Sequence, residues 1–248
     1  MLGFLTRRRP SLVPPPGAEV APPAEAYHLR KVLTDEFLND SGIEIGALHH
    51  PLAVPAGALV RYVDRLDVAG LRREFPELAA YPLTPVDVID DGETLRTIPD
   101  ESQDFIIANH FLEHCQNPLG TLERLVQVLR PGGILYLAVP DKRGTFDRDR
   151  PVTRFRHLVR DYECGPAGSY EGHVREYAEL VDRLSGIALE QRIQSLIARD
   201  YRIHFHVWTH DAFGATLRRA VRRLRLPIES RAAVFNRKLS ESIHVWQR

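Results

Sequence analysis

Four short apolar runs in this sequence end in residues equipped to hold or transform a ligand. The first ends in Glu44-Ile45-Gly46-Ala47, the second in Asp64, the third in Asp90-Asp91-Gly92 and the fourth in Asn109-His110. A glycine after a strand lets the backbone approach a ligand closely, because no Cβ intervenes. An ionised carboxylate only accepts hydrogen bonds, and at Asp64 it suits the paired hydroxyls of a ribose. At the third run a side-chain acceptor suits the amino group of an adenine, while a backbone N–H meets a ring nitrogen. Taken singly, each of these is equally a turn or cap residue. Their order along successive runs is what carries information.

The runs read as strands that alternate with helices. GIEIGAL, LVRYVD, PVDVID, QDFIIAN and GGILYLAVP are five strand candidates. VAGLRREFPEL and GTLERLVQVLR have helical patterns between them, and Pro131-Gly132-Gly133 ends the second of these helices. An earlier helix is expected from Ala24, with Leu29, Val32, Leu33, Phe37 and Leu38 on one face. Strand alternating with helix predicts an α/β fold: a Rossmann-like, mostly parallel, doubly wound sheet with right-handed crossovers. Open sheets of this kind place their ligands beyond the carboxyl ends of the strands, where the four runs end. The stretch 141–200 is charged, aromatic and free of strand patterns, and reads as a helical lid insertion. IHFHVWTH then suggests a short strand before a helix, and the last residues an antiparallel hairpin. Residues 1–23, with Pro14, Pro15, Pro16, Pro22 and Pro23, read as a flexible tail, which leaves 24–248 as one domain.

IEIGA, YVD, DDGETL, PDESQDFIIANHFLEH and VLRPGGILYLAVPD together resemble the class I S-adenosylmethionine-dependent methyltransferases of the type 11 kind. IGALHHPL, FDRDRPVT and HFHVWT bring the chain nearer to a bacterial group often associated with glycan biosynthesis. The resemblance implies methyl transfer from S-adenosylmethionine to a small-molecule acceptor, on an oxygen or nitrogen of a sugar or glycan-linked substrate. Carried over by position, Glu44 and Gly46 line the amino-acid end of the cofactor and Asp64 holds the ribose. Asp91 and Gly92 meet the adenine, and Asn109 and His110 lie near the transferable methyl. His110 is then the candidate general base, because an unperturbed imidazole titrates near neutrality. Asp141, at the end of the fifth strand, is a second candidate base or substrate anchor, with capping as its structural alternative.

The sequence departs from that family in its first loop, where Leu48 and His50 stand in place of glycines. Either the loop takes another path or the site has lost its cofactor, in which case the fold serves as a binding or scaffold module. HFLEH also fits H-x-x-E-H, a zinc-peptidase pattern that needs both histidines on one helix face. His49, His50, His204 and His206 form a looser set, with His204 and His206 expected on one face of a strand. The first needs a third ligand and a catalytic carboxylate beside the metal, the second has no fixed ligand spacing, and no metal is assigned.

In the lid, Arg143, Arg148, Arg150, Arg154, Arg156 and Arg160 alternate with Asp147, Asp149 and Asp161, which reads as salt bridges or a substrate-selecting surface. Tyr162, Tyr170 and Tyr177 are expected to stack on a sugar ring. Arg218, Arg219, Arg222, Arg223 and Arg225 form a basic helix face. Lys plus Arg equals Asp plus Glu at 33 each, which argues against nucleic acid as a partner. Two cysteines, Cys115 and Cys164, suit a reducing, cytoplasmic setting, and no apolar run reaches membrane-spanning length.

Overall fold

The computed structural model describes residues 24–248; the proline-rich stretch 1–23 and its expected flexibility lie outside the described residues. The five runs form parallel strands, β1 (Ser41–Ile45), β2 (Leu59–Asp64), β3 (Val88–Ile89), β4 (Gln103–Asn109) and β5 (Leu129–Pro140). The chain closes with a hairpin of β6 (Glu229–Asn236) and β7 (Glu241–Gln247). In the sheet their order is β3-β2-β1-β4-β5-β7-β6. β7 inserts antiparallel beside β5, with Tyr136 opposite Val245 and Pro140 opposite Glu241. Winding reverses between β1 and β4, so the crevice of this sheet opens at their carboxyl ends.

Period-two alternation gives the sheet two apolar faces. Ile43, Ile45, Ile106, Ala108, Leu135 and Leu137 point to one face. There they meet α3 (Pro118–Val128), α4 (Phe155–Cys164) and α7 (His210–Leu224). Phe105, Ile107, Tyr136, Ala138, Ile243 and Val245 point to the other, beneath α1 (His28–Phe37). Leu33 and Leu38 anchor α1, whereas Val32, expected on the same face, is exposed. α3 starts where Asn117 accepts from the Gly120 N–H at 3.1 Å with Pro118 at its first position. The Pro131-Gly132-Gly133 turn lies inside β5 as an irregularity, since Gln103 pairs with Leu129 and Phe105 with Ile134. It therefore bends the strand and does not precede it.

The crossover from β1 to β2 carries no helix. Pro51 and Pro55 interrupt it, and the chain runs through turns to Leu59. The next crossover holds α2 (Val68–Glu74), whose Asp67 cap accepts from the Gly70 N–H at 2.7 Å.

Beyond β5, the 141–200 stretch divides. α4 packs Leu158 into the main core. α5 (Ala167–Leu180) and α6 (Gly186–Ala198) build a second, smaller core from Val174, Tyr177, Leu189, Ile193 and Leu196. Ile203 and Phe205 seal that core, so the segment leading to α7 joins the two. This segment is extended with a single bridge, Trp208 to Asp141, where a short strand was expected. No helix among the described residues is long and apolar enough to cross a membrane.

Candidate active site

The sequence-predicted residues gather along one edge of the sheet. Gly46 donates its N–H to the Val63 carbonyl at 2.9 Å, and Asp90 to the Asp64 carbonyl at 3.0 Å, so β1, β2 and β3 end side by side. Gly46 has φ +69°, a region that favours glycine, and a Cβ placed there would meet nothing within 4 Å. Open space therefore lies over the end of β1. Asp64 is half-buried, accepts from the Arg65 N–H at 2.7 Å, and is pushed up in pKa by burial. Asp90 is consumed structurally, accepting from both the N–H and hydroxyl of Thr97 at 2.7 Å. Asp91 is exposed, and its carboxylate accepts from the Glu93 N–H at 2.8 Å, within its own turn. Gly92 is required by packing, since a Cβ there would come within 2.6 Å of Ile45 and 2.7 Å of Phe111.

Glu44 explains how the first loop accommodates Leu48 and His50. Its buried carboxylate accepts the Leu52 N–H on both oxygens at 3.0 Å, folding the loop back over β1. Leu48 adopts φ +47°, and its carbonyl accepts from the Thr84 N–H at 2.6 Å. The loop carrying Leu48 and His50 is thus held at Leu52 by Glu44 and at Leu48 by Thr84. Burial pushes the Glu44 carboxyl up to about 7, against the opposing pull of the Leu52 N–H and the Arg30 charge. Beside it is Asn109, whose side-chain amide is buried and turned toward the Glu44 carboxylate, whose charged form it favours.

His110 follows immediately, with φ +47°, an uncommon conformation for a residue bearing a Cβ. Its Nε2 lies 3.1 Å from Oε2 of Glu241, the first residue of β7. Glu241 is fully buried and also takes Nε of Arg30 at 2.9 Å and Nδ2 of Asn236 at 2.9 Å. Burial alone would raise its pKa, but the hydrogen bonds from Arg30 and His110 outweigh it and hold the carboxyl at about 2. The Glu241 carboxylate can accept a hydrogen bond from His110 Nε2–H, and Nδ1 then lies on the other side of the ring, 3.8 Å from Glu113 Oε1. Sequence reasoning missed Glu241, which it placed only within a hairpin.

A cavity lies on the same face, lined by Tyr27, His28, Arg30, His50, Leu52 and Lys238. Arg30 thus joins this cavity to the His110–Glu241 pair.

The methyltransferase-domain family matches residues 28–220, most of the chain. The chain belongs to that family. No curated protein is similar enough in sequence to count as a relative of this methyltransferase-domain protein. Among solved structures, one titled "Putative Zn-dependent Alcohol Dehydrogenases from Rhodobacter sphaeroides" is 13% identical, covering 92% of this chain and 90% of its own, with a TM-score of 0.53. That likeness is one of fold alone. A SAM-dependent methyltransferase from Aquifex aeolicus is 17% identical over 87% of this chain and 86% of its own, at a TM-score of 0.44.

Several expectations are corrected in this methyltransferase-domain chain. Asp141 is not placed to act as a base. Its buried carboxylate accepts Nε and Nη2 of Arg143 at 2.9 and 2.7 Å and the His210 N–H at 2.8 Å, and these hydrogen bonds outweigh burial to hold it at about 2. It caps the 3-10 turn Lys142–Gly144 and ties the start of α7 to β5. HFLEH forms only a short 3-10 turn, Leu112–His114, so the helical face required by the peptidase pattern does not exist. The looser histidine set also comes apart. His49 stacks on Tyr81, His204 bonds Asp147 at 2.6 Å, and His206 joins a different cluster. Tyr177 is a core residue of the second cluster, and Tyr162 donates to Glu123 at 2.9 Å. Arg219 of the basic helix face covers the Phe155 ring at 4.2 Å.

Proposed function

We propose that the chain transfers the methyl group of S-adenosylmethionine to a small polar acceptor, a sugar or glycan-linked hydroxyl or amine, in a reducing cytoplasmic setting. The observation that carries this reading is the row of Gly46, Asp64, Asp91 and Asn109 on four neighbouring strand ends, in a chain of the methyltransferase-domain family. The residues present fit the cofactor. The buried Asn109 amide at the end of β4 and the open space over Gly46 suit its amino-acid end. The Asp64 carboxylate suits the ribose hydroxyls, and Asp91 with the Gly92 backbone suits the adenine. Glu44 acts one step back, fixing the loop that walls the site.

When bound, the cofactor supplies an electrophilic sulfonium methyl. The protein's contribution is to align the acceptor and remove its proton, and most of the acceleration comes from that alignment. His110 Nδ1 takes the proton, and the ionised Glu241 behind Nε2 steadies the imidazolium that forms. Tyr27, His28, Arg30 and Lys238 give the neighbouring cavity hydrogen-bonding groups suited to a polar acceptor. The sugar class itself rests on the resemblance of IGALHHPL, FDRDRPVT and HFHVWT to the glycan-associated group.

Asp64→Ala tests the cofactor assignment. Loss of a hydrogen bond to a charged group, at about 1.5–3 kcal/mol, is expected to raise the dissociation constant for S-adenosylmethionine roughly 10- to 100-fold. Calorimetric titration of parent and variant measures this. An unchanged constant would remove Asp64 from the cofactor site.

A further inference from the structure

Away from the strand ends, three imidazoles and a carboxylate converge where α4, α5 and the segment before α7 meet. His157 and Asp161 stand one turn apart on α4, His173 comes from α5, and His206 from the extended segment. A ligand-type atom from each lies within 4.8 Å of all the others. His157 Nε2 is 2.9 Å from His173 Nε2 and 3.0 Å from Asp161 Oδ2. Ligands around a tetrahedral zinc stand about 3.3 Å apart, given bonds of about 2.0–2.1 Å. The cluster is of that size.

The independent sign is His206. Its ring is wholly buried and neither nitrogen has a hydrogen-bond partner, although the Gln116 main chain lies close. Its ring centroid is 4.9 Å from that of His173 and 5.5 Å from that of His157. Buried imidazole nitrogens are ordinarily satisfied, so one aimed into a group of further donors marks a place for a shared cation. Asp161 is prepared in the same sense. Ser169 donates to its Oδ1, leaving Oδ2 turned toward the histidines, 3.0 Å from His157 Nε2.

We propose that His157, Asp161, His173 and His206 bind a late first-row divalent cation of the zinc type. Imidazole and carboxylate without thiolate suit zinc, cobalt or nickel. Four protein ligands complete a tetrahedron, so the ion is structural and clamps α4 and α5 to the segment carrying His206. That segment hangs on the active-site turn, since the His206 and Phe205 N–H groups donate to the Glu113 carbonyl at 3.2 and 2.8 Å. The clamp therefore bears on the turn that follows His110. Arg150 and Arg160 face the cluster. Arg150 is neutralised by Asp147 and Glu176, whereas Arg160 is 62% exposed and gives up its 3.3 Å contact to His157 Nδ1. A cavity reaching His157 and His173 gives the ion an entrance.

A second group, Glu113, His114 and His204, also gathers three donor atoms. Two of its ring nitrogens are already taken, His204 Nδ1 by Asp147 and His114 Nδ1 by the Ile203 carbonyl at 3.0 Å. It is the weaker candidate and provides a control.

Full-length protein stripped with a chelator is titrated with Co²⁺ and followed by visible absorption, then by displacement with Zn²⁺. One equivalent is expected to give the intense bands of tetrahedral cobalt, with X-ray absorption reporting nitrogen and oxygen neighbours and no sulfur. His173→Gln and His206→Gln are each expected to weaken binding about 100-fold or more, a larger loss than removing an outer-shell partner causes. His204→Gln should leave it within about threefold. Absence of saturable binding, a pale octahedral spectrum, or loss in His204→Gln with retention in His173→Gln would each overturn the proposal. Should His206→Gln fail to fold, the spectrum of the parent and the His173→Gln variant still decide.

Discussion

Arg150→Leu is expected to destabilise the protein by about 3–5 kcal/mol, the cost of leaving a buried charge without its partner. Arg150 is fully buried. Its Nη1 donates to Asp147 Oδ1 and to the His204 carbonyl, both at 2.7 Å, and its Nε to Glu176 at 2.9 Å. One guanidinium thus ties the turn after β5, helix α5 and the segment before α7. Leucine fills part of the volume but strands Asp147, which burial would push up and which Arg150 and His204 hold down. Urea unfolding followed by circular dichroism measures the loss, and a fall below about 1 kcal/mol would contradict the assignment. Arg150→Lys should recover little, because an ammonium lacks the planar fork that serves three partners at once. The same junction carries the four proposed metal ligands, so its rigidity matters beyond stability.

Glu44→Gln is expected to remove one pH-dependent part of the stability profile. The Glu44 carboxyl ionises near 4.5 in the unfolded chain and near 7 in the fold, because burial disfavours its charge. Between these values the folded protein holds a proton that the unfolded chain has released, so stability falls as pH rises. At about 1.4 kcal/mol for each unit, parent protein should lose roughly 3 kcal/mol relative to Glu44→Gln between pH 4.5 and 7, then run parallel to it. The glutamine oxygen still accepts the Leu52 N–H, so the loop keeps its anchor. Buried histidines pull the other way, His114 and His244 among them. His114 and His244 are depressed by burial to about 3 and about 4, so their contribution is complete above 6.5 and is lost as acid is added. They act equally in both proteins and cancel in the difference. Urea titrations of parent and variant across this range isolate Glu44, and parallel curves throughout would show that Glu44 is ionised in the fold.

The residues that were legible in the sequence are those whose placement depends on local order. Short apolar runs closed by Asp64, Asp90-Asp91 or Asn109 announce both a strand and its exposed end, and the alternation with helices fixes a parallel sheet. The helix-free crossover between β1 and β2 was not read from the sequence, although Pro51 and Pro55 disfavour a helix there, and its anchor, Glu44 to Leu52, follows from a loop path that no periodicity encodes. Glu241 was hidden because its partner His110 lies 131 residues away, and only the insertion of β7 beside β5 brings them together. The histidines show the same limit. His157 and Asp161 share a helix face by spacing alone, yet His173 and His206 arrive from separate elements. Grouping His49, His50, His204 and His206 by residue type joined side chains that the fold sends to different places. Asp141 shows the complementary case, since a strand-end carboxylate reads alike whether it serves a ligand or caps the next helix.

The most direct test of the account is a calorimetric titration of S-adenosylmethionine into cofactor-free, full-length protein. The row of strand-end residues and the open space over Gly46 predict saturable one-site binding in the micromolar range. Absence of binding at millimolar cofactor would mean that the loop around Leu48 has closed the site, and that the fold is kept as a binding or scaffold module.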